Sequence, residues 1–81
     1  MGEMVETLDN LHRVMRLWRR AARLSQEQWG ALVGVTKKTV SEWERTPGVS
    51  MRVEHIMRFM QAVQVDSLRE FLAGPPLERL P

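Results

Sequence analysis

The 81-residue sequence predicts a single all-α domain built from five helices. Three observations lead to this prediction. Apolar residues recur at helical spacing, and no stretch alternates β-branched residues as a strand would. Hydrophobic residues make up 43% of the chain, and cysteine is absent, so the composition allows a core but no disulfide. The core should span about residues 13–73, with an N-terminal extension at 1–12 and a C-terminal tail at 74–81.

The first two helices are predicted from an apolar stripe and a capping box. The spacings 4, 3, 4, 3 and 4 separate six apolar residues, namely Met4, Leu8, Leu11, Met15, Trp18 and Ala22. This period predicts a helix from about Thr7 to Arg23. Ser25 is followed three residues later by Gln28, so that each side chain can bond the other residue's free backbone N–H. A second helix should therefore run from Gln26 to about Val33.

The third helix is bounded by residues with clear local preferences. Gly34 should end the second helix, because glycine accepts the left-handed backbone found at helix C-termini. Thr36 is a good N-cap, which predicts a third helix at Lys37–Arg45. The Thr-Pro-Gly sequence at 46–48 predicts a turn after it.

Two further helices are predicted in the C-terminal half. Ser50 is the expected N-cap of a fourth helix from about Met51 to Val63. Its apolar residues should share one side: Val53, Ile56, Met57, Met60 and Val63. Ser67 and Glu70 form a second possible capping box, which predicts a short fifth helix ending at Ala73.

Charge is distributed unevenly along the chain. Residues 13–58 contain ten Lys or Arg and four Glu, a net charge of +6, whereas the flanks contain two Arg and six acids, a net charge of −4. A basic middle suits a polyanion such as nucleic acid, although an ordinary solvated Arg-rich helix would also produce it. The first predicted helix contains four arginines that could form either a phosphate-facing ridge or an ordinary solvated face: Arg13, Arg16, Arg20 and Arg23.

Residues 26–45 carry the most informative pattern. Gly30 is small enough for two helices to cross closely, and Gly34 tolerates the positive φ of a tight turn. Apolar residues occupy the buried offsets: Trp29, Val33, Val35, Val40 and Trp43. Polar residues remain on the other face of the third helix: Lys37, Lys38, Thr39, Ser41 and Glu42. The pattern predicts a helix-turn-helix whose second helix is free to enter a major groove.

The same stretch resembles the Cro and lambda-type repressor family over about residues 13–73. The resemblance rests on Leu-Ser-Gln at 24–26, Gly30, Gly-Val at 34–35, Thr-Val-Ser at 39–41 and Trp-Glu-Arg at 43–45. It implies a compact five-helix lambda-repressor-like domain with the helix-turn-helix in helices 2 and 3. It also implies an ion pair between Arg19 and Glu44. The residues expected to support the structure are Arg19, Glu44, Gly30, Gly34, Val40 and Trp43. Trp29 and Gly30 depart from the family's usual Leu and Ala, and we expect Trp29 to fill the space that Gly30 leaves.

The resemblance also implies which residues contact DNA. The base-contacting candidates are Thr36, Lys37, Lys38, Thr39 and Glu42, and the phosphate-contacting candidates are Gln26, Ser41, Arg45 and Arg52. Their chemistry agrees with these roles, because lysine donates to guanine and glutamate accepts from cytosine.

The expected function is that of a sequence-specific double-stranded DNA-binding regulator, a repressor that binds a palindromic operator as a homodimer. The expected dimer interface is Leu68, Phe71 and Leu72, with the Met4, Leu8 and Leu11 stripe as the competing candidate. Two alternatives remain: an antitoxin that represses its own operon, and a protein-interaction module with the same fold.

Other classes of function lack support in the sequence. No Ser-His-Asp set, phosphate-binding Gly loop or metal-ligand spacing is present, and His12 and His55 have no ligand cluster, so we expect no enzyme, metal site or cofactor. Trp18, Trp29 and Trp43 should be core residues rather than platforms for stacking bases. No apolar run is long enough to span a membrane, and the first ten residues carry three acids and no base, so a cytoplasmic protein is expected.

Overall fold

A computed structural model describes residues 10–76 of the chain, and these residues form five helices and no strand. The helices are α1 (Leu11–Ala21), α2 (Gln26–Ala31), α3 (Lys37–Arg45), α4 (Val53–Ala62) and α5 (Leu68–Ala73). The predicted all-α class is confirmed. The Met4 and Leu8 stripe and the predicted helix start near Thr7 lie outside the described residues.

Helix α1 lies between Asn10, its N-cap, and Arg23, where the backbone reverses. Asn10 is the N-cap, with φ −94° and ψ 0°, so the helix begins at Leu11. Beyond the C-cap at Ala22, Arg23 takes a left-handed φ of 61°, and its N–H donates to the Arg20 carbonyl at 3.0 Å. This reversal ends the helix, although arginine has no intrinsic preference for that conformation.

The predicted capping box of α2 is present in both directions. Ser25 Oγ accepts from the Gln28 N–H at 3.0 Å, and Gln28 Oε1 accepts from the Ser25 N–H at 2.9 Å. The helix ends at Ala31, two residues before the predicted end at Val33. The backbone tightens there, because the Val33 N–H bonds the carbonyl three residues back rather than four.

Helix α3 has the predicted bounds. Thr36 Oγ1 accepts from the Thr39 N–H at 3.3 Å, as expected of an N-cap. The predicted turn follows, with the Val49 N–H donating to the Thr46 carbonyl at 3.2 Å and Gly48 at φ 68°.

The predicted start of α4 was wrong. Ser50 does not cap this helix; Arg52 is the N-cap, with φ −71° and ψ 141°, and it makes no side-chain capping bond. Residues 49–52 are not helical, and Met51 packs against the core instead of joining the helix. Two residues of the predicted apolar side also face solvent, since Val53 is 70% exposed and Met57 is 55% exposed.

Helix α5 is bounded by Ser67 and Gly74. Ser67 Oγ accepts from the Glu70 N–H at 3.1 Å, but the Glu70 carboxylate makes no return bond, so only half of the predicted capping box forms. Gly74 ends the helix at φ 89°.

Stacked aromatic rings link the helices in the core. The Trp18 ring stacks on Phe71 at 5.7 Å, joining α1 to α5, and the Trp29 ring stacks on Phe59 at 4.3 Å, joining α2 to α4. Trp43 meets the edge of Phe59 at 6.0 Å and brings α3 into the same cluster. All three tryptophans are buried, which confirms their prediction as core residues.

Phe71 must be removed from the expected dimer interface. Its side chain is fully buried against Trp18, and its carbonyl accepts from Trp18 Nε1 at 2.7 Å. A residue held this way inside its own subunit is not available to a second one. Leu68 is 49% exposed and Leu72 is half-buried, so these two remain accessible.

Candidate nucleic-acid interface

Gly30 is the point at which α2 meets the start of α3. A Cβ atom at this position would lie 2.6 Å from the Val35 carbonyl oxygen and 3.0 Å from Val40 Cγ2. The Val35 N–H also donates to the Gly30 carbonyl at 3.0 Å. The space left by the missing side chain is therefore filled by Val35 and Val40, not by Trp29, whose ring stacks on Phe59.

Gly34 has a different reason to be glycine. Its φ of +77° lies in the left-handed region, and nothing lies within 4 Å of a Cβ built on it. The requirement is therefore conformational rather than steric. Gly30 and Gly34 together fix how α3 leaves α2, one by close contact and the other by backbone direction.

A buried polar network ties α3 to α1 and α2. Arg19 Nε donates to Glu44 Oε2 at 2.6 Å, and Arg19 Nη2 donates to Glu44 Oε1 at 3.1 Å. Arg19 Nη1 donates to the Leu24 carbonyl at 2.9 Å, and Gln26 Nε2 donates to Glu44 Oε1 at 3.2 Å. The ion pair implied by the family resemblance is thus present. It places Gln26, a phosphate-contacting candidate, next to the C-terminal end of α3.

The outer face of α3 is exposed and polar. Lys37, Lys38, Glu42 and Arg45 are exposed, and Thr39 and Ser41 are half-buried. At about 100° per residue, Lys38, Glu42 and Arg45 fall within an arc of about 60°. Val40 and Trp43 occupy the buried side. Within residues 10–76, the four exposed side chains make no ion pair or hydrogen bond, so their donors and acceptors are free.

Thr36 and Thr39 are already engaged with each other. The Thr36 hydroxyl caps α3 through the Thr39 N–H and lies 3.3 Å from the Thr39 hydroxyl. Their main role in the structure is to fix the start of α3. They lie beside Lys37 and Lys38 at the exposed N-terminal end of that helix.

Arg52 lies near the turn that precedes α3. Together with Arg58 it lines an open groove whose opposite wall is formed by residues 31–34. Its guanidinium is 3.5 Å from the Glu54 carboxylate, and the Arg52 side chain is 77% exposed. An exposed ion pair of this kind is weak. Arg58 was not singled out from the sequence, because only the packing of α4 against this turn brings it near the candidate interface.

Two other features are absent from the described part of the chain. Residues 10–76 contain no group of three His, Cys, Asp or Glu side chains placed to hold a metal ion. None of the helices in that range is long and apolar enough to cross a membrane.

No family model, no curated protein and no solved structure matches the chain. Its function is therefore inferred from α2, α3 and the side chains that they expose.

Proposed function

We propose that the chain is a sequence-specific regulator that binds double-stranded DNA through a lambda-repressor-like domain. In this proposal α2 and α3 form a helix-turn-helix, and α3 lies in the major groove. One observation carries the proposal: the outer face of α3 presents unpaired donors and acceptors on a helix whose inner face is fixed to the core.

The side chains of this face suit the edges of base pairs. Lys37 and Lys38 can donate to the O6 and N7 atoms of guanine, and Glu42 can accept from the N4 atom of cytosine. Each is exposed and free of partners within the described residues. A helix presenting both donors and acceptors can discriminate between bases, whereas a purely basic helix would bind phosphates without reading sequence.

The surrounding polar residues are proposed to hold the sugar-phosphate backbone. Gln26 lies at the N-terminus of α2, where free backbone N–H groups favour an anion. Arg45 and Arg52 are exposed at the end of α3 and the start of α4. Ser41 adds a half-buried hydroxyl on α3, four residues before Arg45. These contacts would set the orientation of α3 in the groove.

Binding as a homodimer follows from the small size of one recognition helix. Nine residues of α3 read only a few base pairs, too few to select a site among the many competitors in a genome. Two copies related by a two-fold axis would read a palindrome with half-sites about 34 Å apart. Leu68 and Leu72 on α5 are proposed as the interface, because they are one turn apart and remain accessible. Occupation of an operator by such a dimer would repress transcription by excluding polymerase.

Selection of bound duplexes from a random DNA pool tests the proposal. We expect enrichment of one sequence with two-fold symmetry. The absence of any enriched sequence would contradict sequence-specific binding and favour a protein-interaction module built on the same fold.

The dimer is tested separately by light scattering on the full chain with and without its selected duplex. Leu68→Asp should remove the dimer, and Val53→Asp should not, since both residues are exposed and apolar but only Leu68 is placed in the interface. Equal effects of the two changes would contradict an interface on α5.

A further inference from the structure

Three arginines form a ridge along the outer side of α1. Arg13, Arg16 and Arg20, here called the arginine ridge, are spaced by three and four residues. At about 100° per residue they fall within an arc of about 60°. The buried residues of α1 lie on the opposite side of the helix: Leu11, Val14, Met15 and Trp18. Arg13 and Arg20 are exposed, and Arg16 is half-buried.

Arg23 does not belong to this ridge, although its sequence spacing suggests that it should. The helix has ended before it, and its backbone turns at φ 61°. Arg23 lines an open groove between the C-terminal ends of α1 and α4, together with Gln64 and Ala62. The ridge therefore has three members.

The ridge carries charge that no part of the described structure neutralises. Within residues 10–76, none of its three guanidinium groups makes an ion pair or a side-chain hydrogen bond, and α1 contains no acidic residue. Like charges three or four residues apart destabilise a helix. The helix dipole favours Arg20 near the C-terminus but disfavours Arg13 in the first turn.

The other helices with exposed arginines do not show this pattern. On α4, Glu54 precedes Arg58 by four residues, and on α5 Glu70 follows Arg69 directly. Such mixing of signs is what solubility alone requires of an exposed helix. The uninterrupted positive charge of α1 therefore suggests a polyanionic partner.

We propose that the arginine ridge binds phosphates of the DNA duplex outside the stretch that α3 contacts. This inference rests on the proposed DNA-binding function and extends it to a second surface. Guanidinium groups are donors only and match phosphate oxygens with two parallel hydrogen bonds, so they hold a backbone without selecting a base. The ridge thus adds affinity and salt dependence but no sequence preference.

The position of the ridge fits this role. Arg16 precedes Arg19 by three residues and is its neighbour on the helix surface, and Arg20 is next to it in sequence. Arg19 is bonded to Glu44 near the C-terminal end of α3. Arg16 therefore lies one helical turn from the residue that joins α1 to the C-terminal end of α3.

The salt dependence of duplex binding tests the inference. The full chain binds its selected duplex at several salt concentrations, and the slope of log affinity against log salt is compared with that of Arg13→Gln and of Arg13→Gln/Arg20→Gln. Each lost phosphate contact reduces the slope by about 0.9. Because two subunits bind the duplex, the single variant should lose about two such steps and the double variant about four, with the enriched sequence unchanged.

Arg69→Gln is the matched control. Arg69 is exposed and lies in the first turn of its helix, as Arg13 does, and the change removes the same charge. It should leave the slope at the parent value. An equal reduction by Arg69→Gln would make the effect one of net charge and overturn the assignment to the ridge. Circular dichroism of each variant should show the parent's helical content, as expected if α1 is still formed.

Parallel measurements separate this inference from the proposed function. If Lys38→Ala changes the enriched sequence while the ridge variants keep the parent slope, the ridge inference fails and the proposed function stands. If the parent chain binds no duplex at any salt concentration, both fail. The last measurement is binding of the parent chain and the double variant to vesicles of phosphatidylserine and phosphatidylcholine. If they bind the parent but not the double variant, and the DNA slope is unchanged, the ridge belongs to a lipid surface and the inference is overturned.

Discussion

The Glu44 carboxylate accepts two hydrogen bonds from the Arg19 guanidinium, with 5% of the Glu44 side chain exposed to solvent. Removing Arg19 leaves the buried Glu44 carboxylate without its counter-ion, although Gln26 Nε2 still donates to it at 3.2 Å. Arg19→Met should therefore lower the free energy of unfolding by about 3–5 kcal/mol. Urea denaturation followed by circular dichroism measures this change.

The double variant Arg19→Met/Glu44→Met is the control for that prediction. Replacing both members of a buried pair with apolar residues is often close to neutral, so most of the lost stability should return. An Arg19→Met variant with the parent's urea midpoint would show that the pair is not held in the geometry described above.

Replacing either glycine of the α2–α3 connection with alanine should destabilise the fold, but for a different reason at each position. Gly30→Ala places a Cβ atom 2.6 Å from the Val35 carbonyl, and overpacking of this kind costs about 1–3 kcal/mol. Gly34→Ala meets no neighbour but forces a left-handed backbone on an L-residue, at a cost of about 1–2 kcal/mol.

Asparagine distinguishes the two mechanisms, because it tolerates the left-handed conformation but is larger than alanine. Gly34→Asn should recover stability relative to Gly34→Ala, and Gly30→Asn should be worse than Gly30→Ala. Thermal unfolding of the four variants gives the comparison, and the opposite ranking at either position would reject the reason assigned to it.

Replacing Arg23 or Gln64 with glycine should raise the stability of the chain. Both are L-residues with φ near +60°, a conformation that costs about 1–2 kcal/mol, while glycine loses about 0.5–1 kcal/mol in added unfolded-state entropy. Arg23→Gly and Gln64→Gly should each stabilise the chain by up to about 1.5 kcal/mol. Arg20→Gly, inside α1, should instead destabilise it by about 1 kcal/mol. Thermal unfolding of the three variants provides the measurement.

Trp18 and Trp29 differ in what their indole N–H groups do. Trp18 Nε1 donates to the Phe71 carbonyl at 2.7 Å, whereas Trp29 Nε1 is buried and has no partner. Trp18→Phe removes one of the two hydrogen bonds to the Phe71 carbonyl, which keeps its bond from the Gly74 N–H. The lost bond costs about 0.5–1.5 kcal/mol beyond the lost volume, and Trp29→Phe removes no hydrogen bond. Trp18→Phe should therefore lower Tm more than Trp29→Phe; equal losses would contradict the Trp18 bond.

The proposed division between base and phosphate contacts can be tested residue by residue. Lys37→Ala, Lys38→Ala and Glu42→Ala should change the sequence enriched from a random pool. Arg52→Ala should weaken binding to all sequences about equally, because phosphate contacts carry no sequence information. If none of the three α3 changes alters the enriched sequence, α3 is not the reading helix.

Sequence reasoning worked best where structure depends on neighbours in the chain. The bounds of α3 follow from Thr36, which caps it, and from Gly34, which reverses the backbone before it. Both preferences act within a few residues and need no knowledge of the rest of the fold. The pairing of Arg19 with Glu44 came instead from the family resemblance, since no local rule joins residues 25 positions apart.

The wrong expectations arose where packing overrides local preference. Ser50 is a good N-cap residue, yet Met51 is drawn to the core and delays the start of α4 to Val53. The apolar spacing of α5 could not show that Phe71 faces Trp18 while Leu68 faces solvent. Arg23 gave no signal of its left-handed backbone, because that conformation usually selects glycine or asparagine.

The bond from Trp18 to Phe71 spans 53 residues, from the first described helix to the last. A contact of that sequence separation requires nearly the whole chain before it can form, and closing such a loop slows folding. During synthesis, α1 through α4 leave the ribosome with the Phe71-facing side of the Trp18 ring still uncovered. Helix α5 is therefore the last element to join the core during synthesis. A chain truncated before residue 71 would expose the apolar surface that Phe71 covers.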